Sequence, residues 1–172
     1  MADFDHCSLP VTDPVLKTII NFRQHDPLLS TGGQPDAGEL RAIGRAGFHV
    51  VINLGLQGAP YALIDERQIV TAHGMQYHHL PVNFKAPEIE RFNAFRHLYR
   101  QLANRKCFIH CAANKRVSCF LALYRMIEMD WPQKDAEKEM RWVWEPDAAW
   151  RSFMEQVLNG IGHCLRRTCP QK

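Results

Sequence analysis

At 172 residues, with 46% apolar and 23% charged side chains, the chain is long enough to bury one core without disulfides or metal and too apolar to remain disordered. Its net charge of +3 comes from bases scattered among acids, which argues against a dedicated nucleic-acid binder. No eighteen-residue apolar run marks a membrane span, and the opening MADFDHCSLPVTDPVL carries acids and prolines where a secretory signal needs a positive start, so one cytoplasmic domain over residues 1–172 is expected, oligomeric state unspecified.

In chain order, LLSTGGQP (28–35) reads as a short extended piece ending in a turn, after which Asp36 caps a helix, AGELRAIGRAG, closed by Gly47. FHVVINLG (48–55) is rich in β-branched residues and short enough for a buried strand. A helix follows over about 62–73, ending at Gly74, and then a strand, QYHHLPV (76–82). Pro87 suits the first turn of a helix in which Ile89, Phe92, Phe95, Leu98, Tyr99 and Leu102 recur at helical spacing, an aromatic stripe that belongs to the core. KCFIHC (106–111) is the last strand, VSCFLALYRMI is apolar almost all round and so belongs to a helix buried on most faces, and two further helices span 133–143 and 147–159.

This alternation predicts an α/β fold: a mostly parallel central sheet flanked by helices on both faces. In such sheets ligands bind beyond the carboxyl ends of the strands, which directs attention to FIHCAANKRVSCF (108–120), a strand, a cysteine, a polar loop and a helix. Loop amides entering a helix point partial positive charge into their concavity and attract anions; they also favour a thiolate. With Lys115 and Arg116 close by, Cys111 reads as an anionic nucleophile able to attack phosphorus or a sulfane sulfur.

The six cysteines (7, 107, 111, 119, 164 and 169) show no zinc-ligand spacing and are expected to stay reduced. Cys107 and Cys119 read as small buried hydrophobes, and Cys164 and Cys169 sit in a tail with no assigned role. His78 and His79 are neighbours in a strand and point to opposite faces, one buried and one exposed, so they do not share a metal. The four tryptophans, 131, 142, 144 and 150, pack the last helices onto the sheet.

IHCAANKRVS resembles the HC-x5-R-S/T signature of the cysteine-dependent protein tyrosine and dual-specificity phosphatases, and STGGQPDAGELRAIGRAGFHVVINLG, DERQIVTAHGMQYHHLPVNF, FIHCAANKRVSCFLALYR and WEPDAAWRSFMEQVL together resemble a bacterial group of that superfamily over about 28–158. The resemblance implies a phosphoric monoester hydrolase acting on a phosphorylated protein or small molecule, with inorganic phosphate or sulfate as loop ligand and no metal or other cofactor. It assigns Cys111 as nucleophile with His110 beside it, Arg116 as the oxyanion clamp, Ser118 as the group that helps the thiolate leave, and Ala112, Ala113, Asn114, Lys115, Arg116 and Val117 as the phosphate cradle.

Three positions depart from that pattern. Asn114 stands where a glycine supplies an unusual backbone angle, a conformation asparagine tolerates. Val117 stands where the arginine belongs and Arg116 precedes it, so either Arg116 reaches the anion from a neighbouring direction or the loop is one residue shorter. Asn83 occupies the region of the general acid in LPVNFKAPE, leaving Glu88 or Glu90 as substitutes, although both also suit the first turn of a helix. Two other readings stay open: an oxyanion-binding module without turnover, and a rhodanese-like sulfurtransferase carrying a persulfide on Cys111, whose shorter loop the C-x4-R count fits.

Overall fold

The computed structural model describes residues 13–102 and 104–167, with side chains described up to 160. The expected alternation is present. After a short 3-10 helix at Pro14–Thr18 come β1 (Arg23–Gln24), β2 (Leu29–Gly32), α1 (Ala37–Arg45), β3 (Val50–Asn53), α2 (Glu66–Ala72), β4 (Gln76–His79), α3 (Ile89–Leu102), β5 (Cys107–His110), α4 (Lys115–Glu128), α5 (Gln133–Arg141) and α6 (Ala148–Arg167). The sheet runs β1-β2-β5-β3-β4. Only the β1–β2 pair is antiparallel, so β5 lies at the centre of a parallel array and its carboxyl end opens between those of β2 and β3.

Alternation along the central strands divides the core. Val50, Ile52, Cys107 and Ile109 face α3, α4 and α6, whereas Val51 and Phe108 face α1 and α2 with Leu40, Ile43 and Val70. On the first face the stripe of α3 meets α4 edge to face, Phe92 against Phe120 at 5.4 Å and Tyr99 against Tyr124 at 4.8 Å. Helix α4 is buried from Arg116 to Arg125 without interruption, as its all-round apolar sequence requires.

Local signals behave as read at several points. Asp36 and Glu39 form a reciprocal capping box on α1, and Gly47 and Gly74 close α1 and α2 at positive φ. Elsewhere the expected bounds move. The helix expected from residue 62 begins at Glu66, because Tyr61 to Leu63 are held in a loop whose hydroxyl and carbonyl contacts compete with helix formation. Residues 80–82 do not continue β4, and α6 runs beyond 159 to Arg167. The two-residue strand β1 and the 3-10 helix lie before the stretch that carries the resemblance, and both pack onto the core through Leu16 and Ile19 and the pairing with β2.

The Gly32-Gly33 pair makes no turn at positive φ. A Cβ on Gly32 would meet Ile19 Cγ2 at 2.7 Å, and one on Gly33 would meet the Ala112 carbonyl oxygen at 2.9 Å. Gly32 thus makes room for Ile19 against the sheet, and Gly33 lets the chain after β2 approach the loop after β5, which is how the fold positions the site.

Candidate active site

Strand β5 delivers His110 and Cys111 to the carboxyl edge of the sheet, between Gly32 of β2 and Asn53 of β3. The following loop is braced from outside by its carbonyls. The oxygen of Ala112 accepts from the Gln34 amide at 3.2 Å, that of Ala113 accepts from Asn21 Nδ2 at 3.0 Å, and that of Asn114 accepts from the Ser118 amide at 2.9 Å.

Asn114 is the N-cap residue of α4 in the left-handed region, φ 62 and ψ 0, where a glycine is otherwise expected. Its side chain does not cap the helix; Nδ2 donates to the Asn21 carbonyl at 2.8 Å and to Thr31 Oγ1 at 3.0 Å. The first-turn amides of α4, which have no intrahelical acceptor, are therefore left without a side-chain cap at the positive end of a fourteen-residue helix. That is the electrostatic layout of an anion site.

The left-handed residue falls three places after Cys111, the place the longer signature gives its glycine, and α4 begins directly after it. Val117, in the arginine's place, is fully buried in the core beneath α4. Arg116 consequently leaves in another direction. Its guanidinium lies 5.4 Å from the Phe84 ring centre and its Nη2 is 3.4 Å from Tyr61 Oη. The side chain is 5% exposed, its Nε has no partner, and no carboxylate lies within ion-pair distance among the described residues. A guanidinium buried without a counter-charge is costly unless an anion arrives.

Cys111 is fully buried, a free thiol at the foot of the loop. The other two described cysteines differ from it in surroundings. Burial pushes the Cys107 thiol up to about 11, and burial likewise raises Cys119, whose sulfur contacts Met140 Sδ at 3.6 Å; both are inert core residues, as expected. Cys7 and Cys169 lie outside the described residues, as does the side chain of Cys164.

Ser118 Oγ donates to the Lys115 carbonyl at 2.8 Å, a hydrogen bond back along its own helix. Lys115 Nζ lies over the Trp144 ring at 5.1 Å, half-buried at the rim. Of the residues considered for the general acid, Asn83 accepts from the Lys85 amide at 3.0 Å and Glu88 faces Arg91 at 3.7 Å. Glu90 is exposed in the first turn of α3. Phe84, beside Asn83, lies over the Arg116 guanidinium, but no hydrogen bond or ion pair among the described residues ties any of the three side chains to residues 111–118.

The sequence reading missed Glu66. Placed at the start of α2, its side chain is 4% exposed, and Oε1 lies 2.6 Å from His110 Nε2. Oε2 accepts from Asn53 Nδ2 at 2.9 Å and Gln34 Nε2 at 3.2 Å. Asn53 Nδ2 also reaches Tyr77 Oη at 3.1 Å, and burial together with the Glu66 charge pushes the Tyr77 phenol up to about 12. This polar layer floors a cavity of about 580 Å3 walled by the loop from Leu56 to Ile64 and by Tyr77 and His79. In the sequence Glu66 looks like an ordinary first-turn acid; only its burial distinguishes it.

The histidine pair corrects one expectation. His78 and His79 are both half-buried, β4 being an edge strand; His79 Nε2 contacts the Gly55 carbonyl at 2.8 Å. No cluster of metal-binding side chains occurs among the described residues, and none of their helices is long and apolar enough to cross a membrane. The tryptophans divide: Trp150 is buried and donates to the Phe84 carbonyl at 2.9 Å, while Trp142 lies outside the core and is 56% exposed even with Arg23 over one ring face.

Comparison with known proteins places this geometry. No protein-family profile and no curated protein matches the chain. A candidate phosphatase from Shewanella putrefaciens CN-32 is 28% identical over 85% of this chain and 96% of its own, with a TM-score of 0.76. A Cys-to-Ser form of P. aeruginosa TpbA in complex with pTyr is 17% identical, covering 83% of this chain and 91% of its own, TM-score 0.64. A kinase associated phosphatase with its catalytic site cysteine replaced by serine is 12% identical over 77% and 86%, TM-score 0.69. The fold is that of the cysteine-dependent phosphatases of the protein tyrosine and dual-specificity type, as the sequence resemblance implies, and these structural neighbours are phosphatases.

Proposed function

We propose that the protein is a cysteine-dependent phosphatase that hydrolyses a phosphate monoester through a cysteinyl-phosphate on Cys111. The observation that carries this reading is Arg116: a buried guanidinium with unfilled donors, at the first turn of a helix whose amides no side chain caps. Such a site gains a tetrahedral dianion's charge and hydrogen bonds together.

In the reaction, the Cys111 thiolate forms an S–P bond as the ester P–O bond breaks, and the bonding pair leaves on the substrate oxygen. Water then attacks phosphorus, releasing inorganic phosphate and the thiolate. Amides of the loop and first turn, with Arg116, take the charge on the non-bridging oxygens, so no metal is called for in either step. Because Asn83 carries no acidic proton and Glu88 and Glu90 are exposed with no hydrogen bond or ion pair to the loop, the leaving oxygen departs with little protonation from these groups. The expected substrates are aryl phosphates, whose leaving groups tolerate that.

Steady-state hydrolysis of a series of substituted phenyl phosphates tests this. Rates should fall steeply as the leaving phenol becomes more basic, and Cys111→Ser should remove the activity by about a thousandfold or more. Phosphate release indifferent to that substitution would sink the mechanism. A second reading, oxyanion binding without turnover, is favoured by the complete burial of Cys111. It predicts no hydrolysis, but protection against heat by millimolar phosphate that Arg116→Met removes. Thiocyanate formation from thiosulfate and cyanide, dependent on Cys111, would transfer the claim to sulfur chemistry.

A further inference from the structure

We infer that Glu66 is a positioning residue for the Cys111 loop, acting through His110, and that its role would be the same whichever reaction the loop performs. Its test below is therefore independent of the phosphatase reading, although the inference rests on Cys111 being the working group.

A carboxylate with 4% side-chain exposure needs strong compensation, and the partners of Glu66 lie on different parts of the sheet edge. His110 ends β5, Asn53 ends β3, and Gln34 follows β2. One side chain thus ties together the carboxyl ends of the three strands around the nucleophile. Two separate routes lead from it to the loop. The first is His110, whose backbone continues directly into Cys111. The second is Gln34, whose side chain donates to Glu66 and whose amide holds the Ala112 carbonyl at 3.2 Å.

The first route fixes a ring as well as a backbone. His110 is fully buried and stacked on Phe108 at 5.9 Å, and neither ring nitrogen makes a hydrogen bond of regular geometry, Nε2 having only the 2.6 Å approach to Glu66 Oε1 and Nδ1 no partner at all. The contact with Glu66 is therefore the polar interaction that chooses its orientation, with an N–H kept on Nε2 opposite the carboxylate. An amide in place of that carboxylate can turn only one acceptor oxygen to its neighbours, where Asn53 and Gln34 now donate to one oxygen and His110 Nε2 approaches the other. Glu66→Gln must then either set an N–H against a donor or drive His110 to the other tautomer, which leaves a buried Nδ1–H without an acceptor; either way the ring or the Gln34 brace is loosened.

Loop placement matters steeply for a nucleophile, since displacement by about 1 Å can cost about a hundredfold in rate. The expected result is a Cys111 alkylation rate with iodoacetamide about tenfold lower in Glu66→Gln, with Glu66→Asp recovering part of the loss. In the background of His110→Ala the same change at Glu66 should have little further effect, because its main route to the loop is gone. If the protein hydrolyses aryl phosphates, Glu66→Gln should lower kcat by more than it changes KM.

Alkylation in Glu66→Gln at the wild-type rate would overturn the inference. So would losses that simply add in the double variant, which would mark a general structural role. Should Glu66→Gln fail to fold, Gln34→Ala tests the second route alone and should slow alkylation by a few-fold; no change there, with no His110 dependence in Glu66→Asp, would also overturn it. Intact coupling in a protein without phosphatase activity would leave this inference standing and remove the functional reading instead.

Discussion

Two arginines nine positions apart on α4 are almost equally buried, Arg116 at 5% exposure and Arg125 at 6%, yet their surroundings differ in kind. Arg125 donates to His25 Nδ1 at 2.9 Å and lies over the Trp131 ring at 4.6 Å, with the Glu139 carboxylate close enough to favour its charge. Arg116 has a phenol at 3.4 Å, an aromatic face and an unpartnered Nε. One cation is completed by the protein; the other is left for something the protein does not contain. Under the proposed function the difference separates a structural charge from a functional one more sharply than burial or residue type does.

The largest expected effect breaks that comparison at Arg116. Arg116→Met should lower kcat/KM for an aryl phosphate by roughly a hundred- to a thousandfold, the usual cost of removing a donor to developing oxyanion charge. The thermal midpoint should hold or rise, because an uncompensated buried charge disappears. A large fall in stability would show that Arg116 belongs with Arg125. Arg125→Met is the mirror experiment. It strands the His25 acceptor in the interior and should cost about 2 kcal/mol of unfolding free energy in urea, while kcat/KM changes little.

Next in size is a pH effect at the partner of Arg125. Burial first, then the charges of Arg125 and Arg23, lower His25 to about 3. The hydrogen bonds agree: Nδ1 accepts from Arg125, so the ring is neutral with its other N–H toward Thr31 Oγ1 at 3.1 Å, and the Glu139 oxygen 3.9 Å away makes no ion pair with it. Since the folded value lies below the unfolded one of about 6.5, the unfolded chain binds the extra proton between them. Stability is therefore full above about pH 6.5 and is lost as pH falls toward 3, by roughly 2 kcal/mol between pH 7 and pH 5. Urea titrations of the wild type against His25→Gln should show that slope only in the wild type. Equal slopes would mean that the Arg125 cluster opens before His25 titrates.

How much of this was legible in the sequence follows from where each signal resides. The parallel elements announce themselves by β-branched runs and helical periodicity, and Asp36 with Glu39 writes its own cap. Strand β1 is two residues long and has no period to detect, so its pairing with β2 came only from the fold. In the site, the place of Cys111 at the end of β5 and the left-handed conformation of Asn114 were readable because they are fixed by local spacing. The direction of Arg116 was not, because it depends on Val117 being drawn into the core and on Phe84 and Tyr61, far away in sequence, lining the other side. Glu66 escaped for the same reason: its three partners come from three separate segments.

The smallest effect asks what holds the cradle open around Arg116. Asn114 contributes in two ways, by adopting φ 62 and by donating from Nδ2 to the Asn21 carbonyl and Thr31 Oγ1. Alanine loses both contributions, whereas glycine loses the side-chain bonds but keeps the backbone conformation. If conformation dominates, Asn114→Gly should be more stable than Asn114→Ala by about 1 kcal/mol in urea and should retain phosphate protection. If the two variants fall together, the bonds to Asn21 and Thr31 set the loop instead. The first of these anchors precedes β1, so the site would then depend on a part of the chain that the loop signature does not reach. In that case the anion site is assembled jointly by the end of β5 and the segment ahead of the sheet, and shortening the chain to residue 28 should abolish phosphate protection even where the parallel strands still fold.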